Sequence, residues 1–178
     1  MEREDATFPE LAIHLAGSVT LMSQIVNGAV LSDSSIISAV SIGLIGIDPF
    51  TTSHVQPASY DLTLAQDVIL LPKGCSLADT VETVRLPSTI RGELSGRSSV
   101  ARQFVFVHAE GGYVDPGFEG TLTLELFNAS DEIRSYKRGD RLVQIAFTWL
   151  DQACERSYVG RYQGQHGPTA SRFEHGEL

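Results

Sequence analysis

A single carboxylate, Glu125, interrupts the apolar segment TLTLELFN at residues 121–128. Successive side chains of an extended strand point to opposite faces, so Leu122, Leu124 and Leu126 share one face and Glu125 lies on the other. Removal from water raises the pKa of a carboxylate unless a cation or hydrogen-bond donors stabilise its charge, and a base tuned in this way can activate water. An outward-facing strand glutamate has the same pattern, so this segment alone leaves both interpretations open.

Two serines between two arginines form a second group, GRSSVAR, at residues 96–102. Ser98 and Arg102 are four residues apart, and one helical turn would place them on the same face. Hydroxyls, backbone N–H groups and guanidinium groups together can bind an anion such as phosphate. A capped surface turn has the same composition, and this alternative also stays open.

A glycine-rich loop, EGGYVDPGFEG, follows at residues 110–120, and its glycines allow the backbone to approach a ligand closely. Asp115 could accept a hydrogen bond from a sugar hydroxyl, and a plain β-hairpin connection is the alternative interpretation of the loop. His108 ends an apolar segment just before the loop, where a structural histidine is the ordinary interpretation.

The C-terminal stretch YQGQHGPTASR, residues 162–172, contains several groups that could contact a nucleotide. The ring of Tyr162 could stack on a base or sugar, and Arg172 and the glutamine amides could bind phosphate oxygens. A flexible tail rich in Gly and Gln is the alternative.

The charge distribution restricts the possible partners. The chain of 178 residues has a formal net charge of −9, yet 11 of its 13 basic residues lie within residues 85–178. Without a broad basic face, nucleic-acid binding is disfavoured, whereas a small anion held by a few arginines fits the composition. An ordinary surface with scattered ion pairs fits it as well.

Several classes of protein are excluded by what the chain lacks. Cys75 and Cys154 are its only cysteines, and neither belongs to a PCxxC element of the kind found in zinc-dependent nucleobase deaminases. The apolar stretch at residues 39–47 is far shorter than the roughly 20 residues of a membrane-spanning helix. The acidic N-terminus does not resemble a secretory signal. We therefore expect a soluble, cytoplasmic protein without zinc.

The elements that position these groups are read from periodicity. Apolar residues at helical spacing predict helices over residues 8–46, with a stop at Gly28 and a new N-cap at Ser32 or Asp33. Short β-like segments separated by turn residues then predict one mostly-β domain, a sandwich or a barrel. The predicted strands are residues 59–65, 67–71, 83–86, 90–94, 103–108, 121–128 and 140–150.

Taken in order, five segments resemble the dCTP deaminase family of the dUTPase-like superfamily. They are LSDSSIISAVSIGLIGIDPF (31–50), VQPASYDLTL (55–64), GRSSVAR (96–102), VDPGFEGTLTLELFN (114–128) and YQGQHGPTASR (162–172). The resemblance implies a distorted β-barrel or jelly-roll-like fold with N-terminal helices, assembled as a homotrimer with shared active sites. It divides the chain into a helical N-terminal extension (1–30), a nucleotide-binding catalytic domain (31–160) and a C-terminal flap (161–178).

The resemblance also assigns roles by position. Glu125 is implied to be the general base for the attacking water, with Ser98 and Arg102 positioning that water and the carboxylate. Arg97 and Ser99 are implied to contact the triphosphate, and Asp115 the deoxyribose 3′-hydroxyl. Gly111 belongs to the loop that reads the base, and Gln144 and His108 are also implied to bind the substrate. Tyr162, Gln165 and Arg172 are implied to close over the nucleotide. Mg²⁺ is implied to accompany the triphosphate without protein side chains as ligands, and dTTP to act as a feedback inhibitor near His108.

The implied reaction is hydrolytic deamination of dCTP to dUTP and ammonia. Gln144 and the C-terminal motif are more similar to members that also cleave dUTP to dUMP and pyrophosphate. The chain departs from the family at residues 108–111, where HAEG replaces the usual HxTA and adds the carboxylate of Glu110, and at Arg161, where lysine is common. Two alternatives stay open, a dUTP diphosphatase without deaminase activity and a non-catalytic nucleotide-binding homologue.

Overall fold

The computed structural model describes residues 28–173, which form a mostly-β domain with little helix. Its helices are α1 (Asp33–Ser41), a 3-10 turn (Thr52–His54) and the short α2 (Ser98–Ala101). Its strands are β1 (Gly46–Asp48), β2 (Val55–Gln56), β3 (Ser59–Thr63), β4 (Val68–Leu70), β5 (Cys75–Arg85), β6 (Ile90–Gly96), β7 (Val105–Phe106), β8 (Tyr113–Val114), β9 (Glu119–Asn128), β10 (Arg134–Tyr136) and β11 (Arg141–Trp149).

The described strands form three antiparallel sheets. One sheet has the order β1-β5-β9-β7, a second has the order β2-β3-β11-β6-β8, and β10 pairs with β4. Apolar side chains of the two large sheets belong to one core, which includes Leu124 and Leu126 of β9 and Ile145 and Phe147 of β11. The jelly-roll-like arrangement predicted from the sequence is confirmed, and the sheets are open rather than joined into a closed barrel.

Strand β9 carries the alternation that its sequence predicts. Leu122, Leu124 and Leu126 are buried, whereas Glu125 is half-buried on the opposite face. The strand lies between β5 and β7, and Leu77 of β5 is the cross-strand partner of Glu125. The core face therefore fixes β9 and leaves the carboxylate on the other side of the sheet.

The helical prediction is right only in part. Helix α1 begins where expected, because Ser32 is its N-cap and accepts a hydrogen bond from the backbone N–H of Ser35 at 3.4 Å. It ends at Ser41 rather than at residue 46, since Gly43 adopts a φ of +71° and the chain then enters β1. The part of the prediction that covers residues 8–27, with most of the N-terminal extension, lies outside the described residues.

Each of the seven predicted strands coincides with a strand of the structure, although the lengths differ. Strand β5 starts at Cys75, well before the predicted residue 83. Strand β7 has only two residues and starts directly after Phe104, whose φ is +58°. Strands β1, β2, β8 and β10 were not predicted, since two or three residues are too few to show alternation. Among residues 28–173, none of the helices has both the length and the apolar character needed to cross a membrane.

Candidate active site

A pocket of about 490 Å³ opens on the face of β9 that carries Glu125. It contains five of the residues singled out from the sequence: Gly111, Asp115, Glu125, Tyr162 and Gln165. The rest of its lining is Leu77, Leu94, Tyr113, Val114, Phe118, Leu122, Thr123, Tyr158, Thr169 and Ser171. A mostly apolar pocket with a few convergent polar groups is the usual form of a small-molecule site.

Glu125 is held by the backbone of the glycine-rich loop. Its Oε2 atom accepts a hydrogen bond from the backbone N–H of Ala109 at 3.2 Å. No basic side chain forms an ion pair with Glu125 among the described residues. The carboxylate therefore has lone pairs available to a water molecule in the pocket, as a general base requires.

Gly111 brings the loop directly against this carboxylate. A Cβ atom on Gly111 would lie 3.3 Å from Oε2 and 3.4 Å from Oε1 of Glu125, which is unusually tight. The neighbouring Glu110, the extra carboxylate of this loop, is exposed and has a φ of +69°. The glycine is therefore used for a close approach, as the loop composition suggested, and the close approach is to the carboxylate.

The C-terminal stretch covers the pocket by lying along β9. Gln165 accepts a hydrogen bond through its carbonyl from the N–H of Thr121 at 3.0 Å, and its side-chain amide donates to the Thr121 carbonyl at 2.8 Å. The N–H of Gly164 donates to the Glu119 carbonyl at 2.8 Å, and the N–H of Thr169 donates to the hydroxyl of Thr123 at 3.2 Å. The predicted flap is thus attached mainly through backbone atoms, and the Gln165 amide is bound to the chain itself.

Tyr162 and Arg172 are close neighbours within the flap. The Arg172 guanidinium lies 5.8 Å from the centroid of the Tyr162 ring and donates to the Arg161 carbonyl, while the Arg172 N–H donates to the Tyr162 hydroxyl at 3.1 Å. Tyr162 lines the pocket, whereas Arg172 is not part of its lining in the described residues.

A buried carboxyl group lies under the flap. Asp79 of β5 is only 6% exposed; burial raises the pKa of its carboxyl above the ordinary 3.8, and the backbone N–H of Gly167, donating to it, partly opposes this. The native state therefore binds the proton more tightly than the unfolded chain does. Between pH 3.8 and the raised pKa, the free energy of unfolding falls as pH rises.

We expect Asp79→Asn to remove this penalty, because an amide oxygen can accept the same Gly167 N–H without carrying charge. The melting temperature of the variant should exceed that of the wild type at pH 7, and the difference should shrink towards pH 4. Thermal unfolding followed by circular dichroism at both pH values measures this. A difference that is the same at pH 4 and pH 7 would contradict the argument.

The GRSSVAR residues lie elsewhere on the chain. The segment forms α2 and its flanks, and the N–H of Arg102 donates to the carbonyl of Ser98 at 3.1 Å, so the predicted helical turn between them is correct. Ser98, Ser99 and Arg102 are exposed, and Arg97 is half-buried. None of the four lines the pocket formed by the described residues of one chain.

His108 and Gln144 are also outside that lining. His108 is half-buried, packs beside Gly112, and its Nδ1 atom has no hydrogen-bond partner within residues 28–173. Gln144 accepts a hydrogen bond from Ser59 and donates one to Ser95, both at 3.1 Å. The sequence predictions for these two residues are neither confirmed nor contradicted by this arrangement.

Two charged residues of this region were missed by sequence reasoning, Asp61 and Arg141. Asp61 is fully buried and forms ion pairs with Arg97 at 3.2 Å and with Arg141 at 3.3 Å. The polar pocket residues Thr123 and Thr169 were also missed, although Thr123 could have been found because it shares the strand face of Glu125.

No group of three His, Cys, Asp or Glu side chains suitable for a metal ion occurs between residues 28 and 173.

Comparison with known proteins matches this arrangement to one family. A family model described as dCTP deaminase-like matches residues 64–150. The chain is 38% identical over 172 residues to the dUMP-forming dCTP deaminase of Aquifex aeolicus, covering 81% of this chain and 94% of that protein.

Two solved structures have a similar fold. The 2′-deoxycytidine 5′-triphosphate deaminase of Agrobacterium tumefaciens aligns with a TM-score of 0.61 at 20% identity, over 70% of this chain and half (50%) of that one. A mutant form of the dUTPase from phage phi11 of S. aureus aligns with a TM-score of 0.51 at 21% identity, over 65% of this chain and 97% of that one. At these identities the two structures establish the dUTPase-like fold.

Proposed function

Because the chain belongs to the dCTP deaminase family, an enzyme family, we propose that it hydrolyses dCTP to dUTP and ammonia and then cleaves dUTP to dUMP and pyrophosphate. The observation that carries the proposal is the half-buried Glu125 carboxylate, bound to the Ala109 N–H at 3.2 Å inside a pocket of about 490 Å³. The printed name of the Aquifex relative, a dUMP-forming deaminase, supports the second step.

In the proposed deamination, Glu125 accepts a proton from water as the water oxygen bonds to C4 of the cytosine ring and the C4=N3 π electrons move to N3. The carboxylic acid then returns this proton to the amino group, the bond from C4 to that group breaks, and ammonia leaves. The proton of the new hydroxyl moves to N3, so that C4 becomes the carbonyl carbon of uracil. One carboxylate can act in turn as base and acid because it is regenerated at the end of the sequence. Ser98 and Arg102 are proposed to position the water and the carboxylate.

The remaining residues are proposed to bind the nucleotide. Asp115 lies in the same pocket as Glu125, and we assign it the deoxyribose 3′-hydroxyl. Tyr162, Gln165 and Arg172 are assigned to a proposed flap, residues 161–178, over the proposed catalytic domain of residues 31–160. Arg97, Ser99 and Gln144 are assigned to the triphosphate, Gly111 to the base, and His108 to feedback by dTTP. Mg²⁺ is proposed to be held by the phosphate oxygens of the nucleotide.

The separation of Glu125 from the GRSSVAR residues supports a homotrimer with shared sites. The face of β9 that carries Glu125 continues into Phe127, whose ring stacks on Phe106 with centroids 6.2 Å apart. Phe106 is 57% exposed and the nearby Phe104 is 65% exposed. Exposed aromatic side chains in a contiguous group are typical of protein interfaces. A second copy on this face would bring its own side chains beside the pocket of the first.

Product analysis tests the proposed reactions. The protein is incubated with Mg²⁺ and dCTP and, separately, with Mg²⁺ and dUTP, and ammonia and pyrophosphate are measured. Both products from dCTP are expected. Ammonia alone would remove the second step from the proposal. Pyrophosphate from dUTP without ammonia from dCTP would identify a dUTP diphosphatase instead. Nucleotide binding without either product would identify a non-catalytic homologue.

Phe106→Glu should break the trimer, because a charge on the aromatic face cannot be desolvated without cost. We expect a monomer by light scattering and a fall in kcat/KM for dCTP of about a hundredfold or more, since a shared site would lose part of its residues. Ile69→Glu is the control, because Ile69 is 68% exposed on β4, in the separate two-stranded sheet. An active Phe106→Glu monomer would show that the site is complete within one chain.

A further inference from the structure

A buried carboxylate joins two arginines next to the GRSSVAR segment. Asp61 is fully buried, and its Oδ2 atom receives Arg97 Nε at 3.2 Å, Arg141 Nη1 at 3.3 Å and Gln56 Nε2 at 3.3 Å. The two arginines are also linked directly, because Arg97 Nη1 donates to the Arg141 carbonyl at 3.2 Å. The backbone N–H of Arg97 donates to the carbonyl of Leu142 at 3.0 Å. These contacts fix the two guanidinium groups side by side.

An irregularity in β11 brings Arg141 to this place. Along β11, Gln144 pairs with Asp61, Val143 pairs with Leu62 and Arg141 pairs with Thr63, so the register shifts between Arg141 and Val143. The extra residue of such a bulge reverses the alternation of side chains. Arg141 therefore lies on the face that carries Gln144 and Asp61, whereas uninterrupted alternation would place it on the face of the buried Val143.

The charges of this cluster do not cancel. One carboxylate faces two guanidinium groups, so the three side chains carry a net charge of +1. Arg97 and Arg141 keep 31% and 35% of their side-chain surface exposed, while Asp61 keeps none. The positive ends are thus presented to solvent and the negative group lies behind them. Planar guanidinium groups with free N–H donors suit phosphate oxygens.

We infer that Arg141 is a second guanidinium of the triphosphate site and that Asp61 is the positioning residue that aligns it with Arg97. This inference rests on the proposed function, in which Arg97 binds the triphosphate. Gln144, also assigned there, pairs with Asp61 in the sheet and lies on the same face. Arg141 thus extends the site from α2 along β11. Asp61 does not touch the nucleotide and acts through the two arginines.

The variant Arg141→Gln tests the assignment. We expect KM for dCTP to rise about tenfold with little change in kcat for ammonia release, since the lost contact is to the triphosphate, which does not react in the deamination step. Arg141→Lys keeps the charge but loses the planar pair of donors, and should recover only part of the affinity. Arg138→Gln is the matched control, because Arg138 is exposed in the turn that precedes β11 and makes none of these contacts. Arg141→Gln with an unchanged KM would overturn the inference.

A binding measurement separates this inference from the proposed function. Isothermal calorimetry with inorganic tripolyphosphate needs no turnover, and Arg141→Gln should weaken that binding about tenfold. If the protein binds tripolyphosphate but produces neither ammonia nor pyrophosphate, the phosphate site is supported and the proposed reactions are rejected. Equal binding by wild type and Arg141→Gln would reject the assignment of Arg141, whatever the activity.

Asp61→Asn distinguishes positioning from simple charge. Removal of a negative charge beside two arginines should strengthen anion binding if charge alone mattered. We expect the opposite, a weaker affinity for tripolyphosphate and a KM for dCTP raised about tenfold, because the guanidinium groups lose their common anchor. Because Asp61 is buried, thermal unfolding checks that the variant is folded. If it is not folded, the inference is judged on the Arg141→Gln and Arg141→Lys results. Tighter binding by a folded Asp61→Asn would reject the positioning role.

Discussion

Replacing Glu125 by glutamine is expected to lower kcat for dCTP deamination by about a thousandfold while the nucleotide still binds. Glutamine has the same size, and its side-chain oxygen can still accept the hydrogen bond that Ala109 donates to Glu125 at 3.2 Å. The amide cannot, however, take a proton from water at neutral pH. The site should therefore keep its shape and its ligand and lose the chemical step.

Two measurements check this expectation, ammonia release under saturating dCTP and calorimetric titration of the variant with dCTP. Glu119→Gln is the matched control, because Glu119 is an exposed carboxylate on the same strand β9. It should leave kcat within about twofold of wild type. A Glu125→Gln enzyme with near-normal kcat would place the base elsewhere in the pocket. A variant that no longer binds dCTP would make Glu125 a binding group instead.

The second large effect is expected from Gly120→Ala, which should detach the flap from β9. Gly120 has a φ of +153°, and a Cβ atom there would lie 2.9 Å from the Gln165 carbonyl oxygen and 3.1 Å from the Gln165 nitrogen. Both atoms belong to the backbone, so a side-chain rotation cannot relieve the clash. Since Gln165 and Tyr162 line the pocket, we expect kcat/KM for dCTP to fall about tenfold or more.

Limited trypsin digestion reports the position of the flap directly, because Arg161 and Arg172 become cleavage sites once the segment leaves β9. Gly139→Ala is the matched control. Gly139 also has a positive φ, +91°, but no atom lies within 4 Å of the position of its Cβ. The variant Gly139→Ala therefore shows the effect of backbone strain without a steric clash. Equal cleavage rates and equal kcat/KM for the two variants would show that the contact between Gly120 and Gln165 does not hold the flap.

The sequence predicts the parts of the site that follow a regular period. Alternation along β9 places Glu125 opposite the buried leucines, and a four-residue spacing places Ser98 and Arg102 on one turn. Both patterns arise from backbone geometry within one element, which a single segment of sequence contains. The sequence left the glycine-rich loop open between a close approach and a plain hairpin connection. Residues without a Cβ are used where the backbone must come near another group, as Gly111 does at Glu125.

The parts that were missed depend on contacts between distant elements. Asp61 lies in SYDLTLA, a segment whose pattern indicates a strand with polar side chains on one face. In the structure it is fully buried and forms ion pairs with Arg97, the N-cap of α2, and with Arg141 of β11. The shift in β11 that brings Arg141 there leaves no mark in the local pattern. The flap was open to two interpretations because its hydrogen bonds to β9 use backbone atoms, which every residue except proline offers.

The pairing of β5 with β9 has a consequence for how the enzyme becomes active as it folds. Glu125 faces Leu77 across these strands, so these two pocket residues come from segments of the chain that are separated by β6, α2, β7 and β8. Contacts between such distant segments form slowly, because a long stretch of chain must be ordered before they are gained. The short hairpin of β2 and β3 and the turn at α2 join residues close in sequence and need no such closure. A refolding chain should therefore form these local elements before it recovers its turnover, and during the interval the Glu125 carboxylate is present but has no pocket.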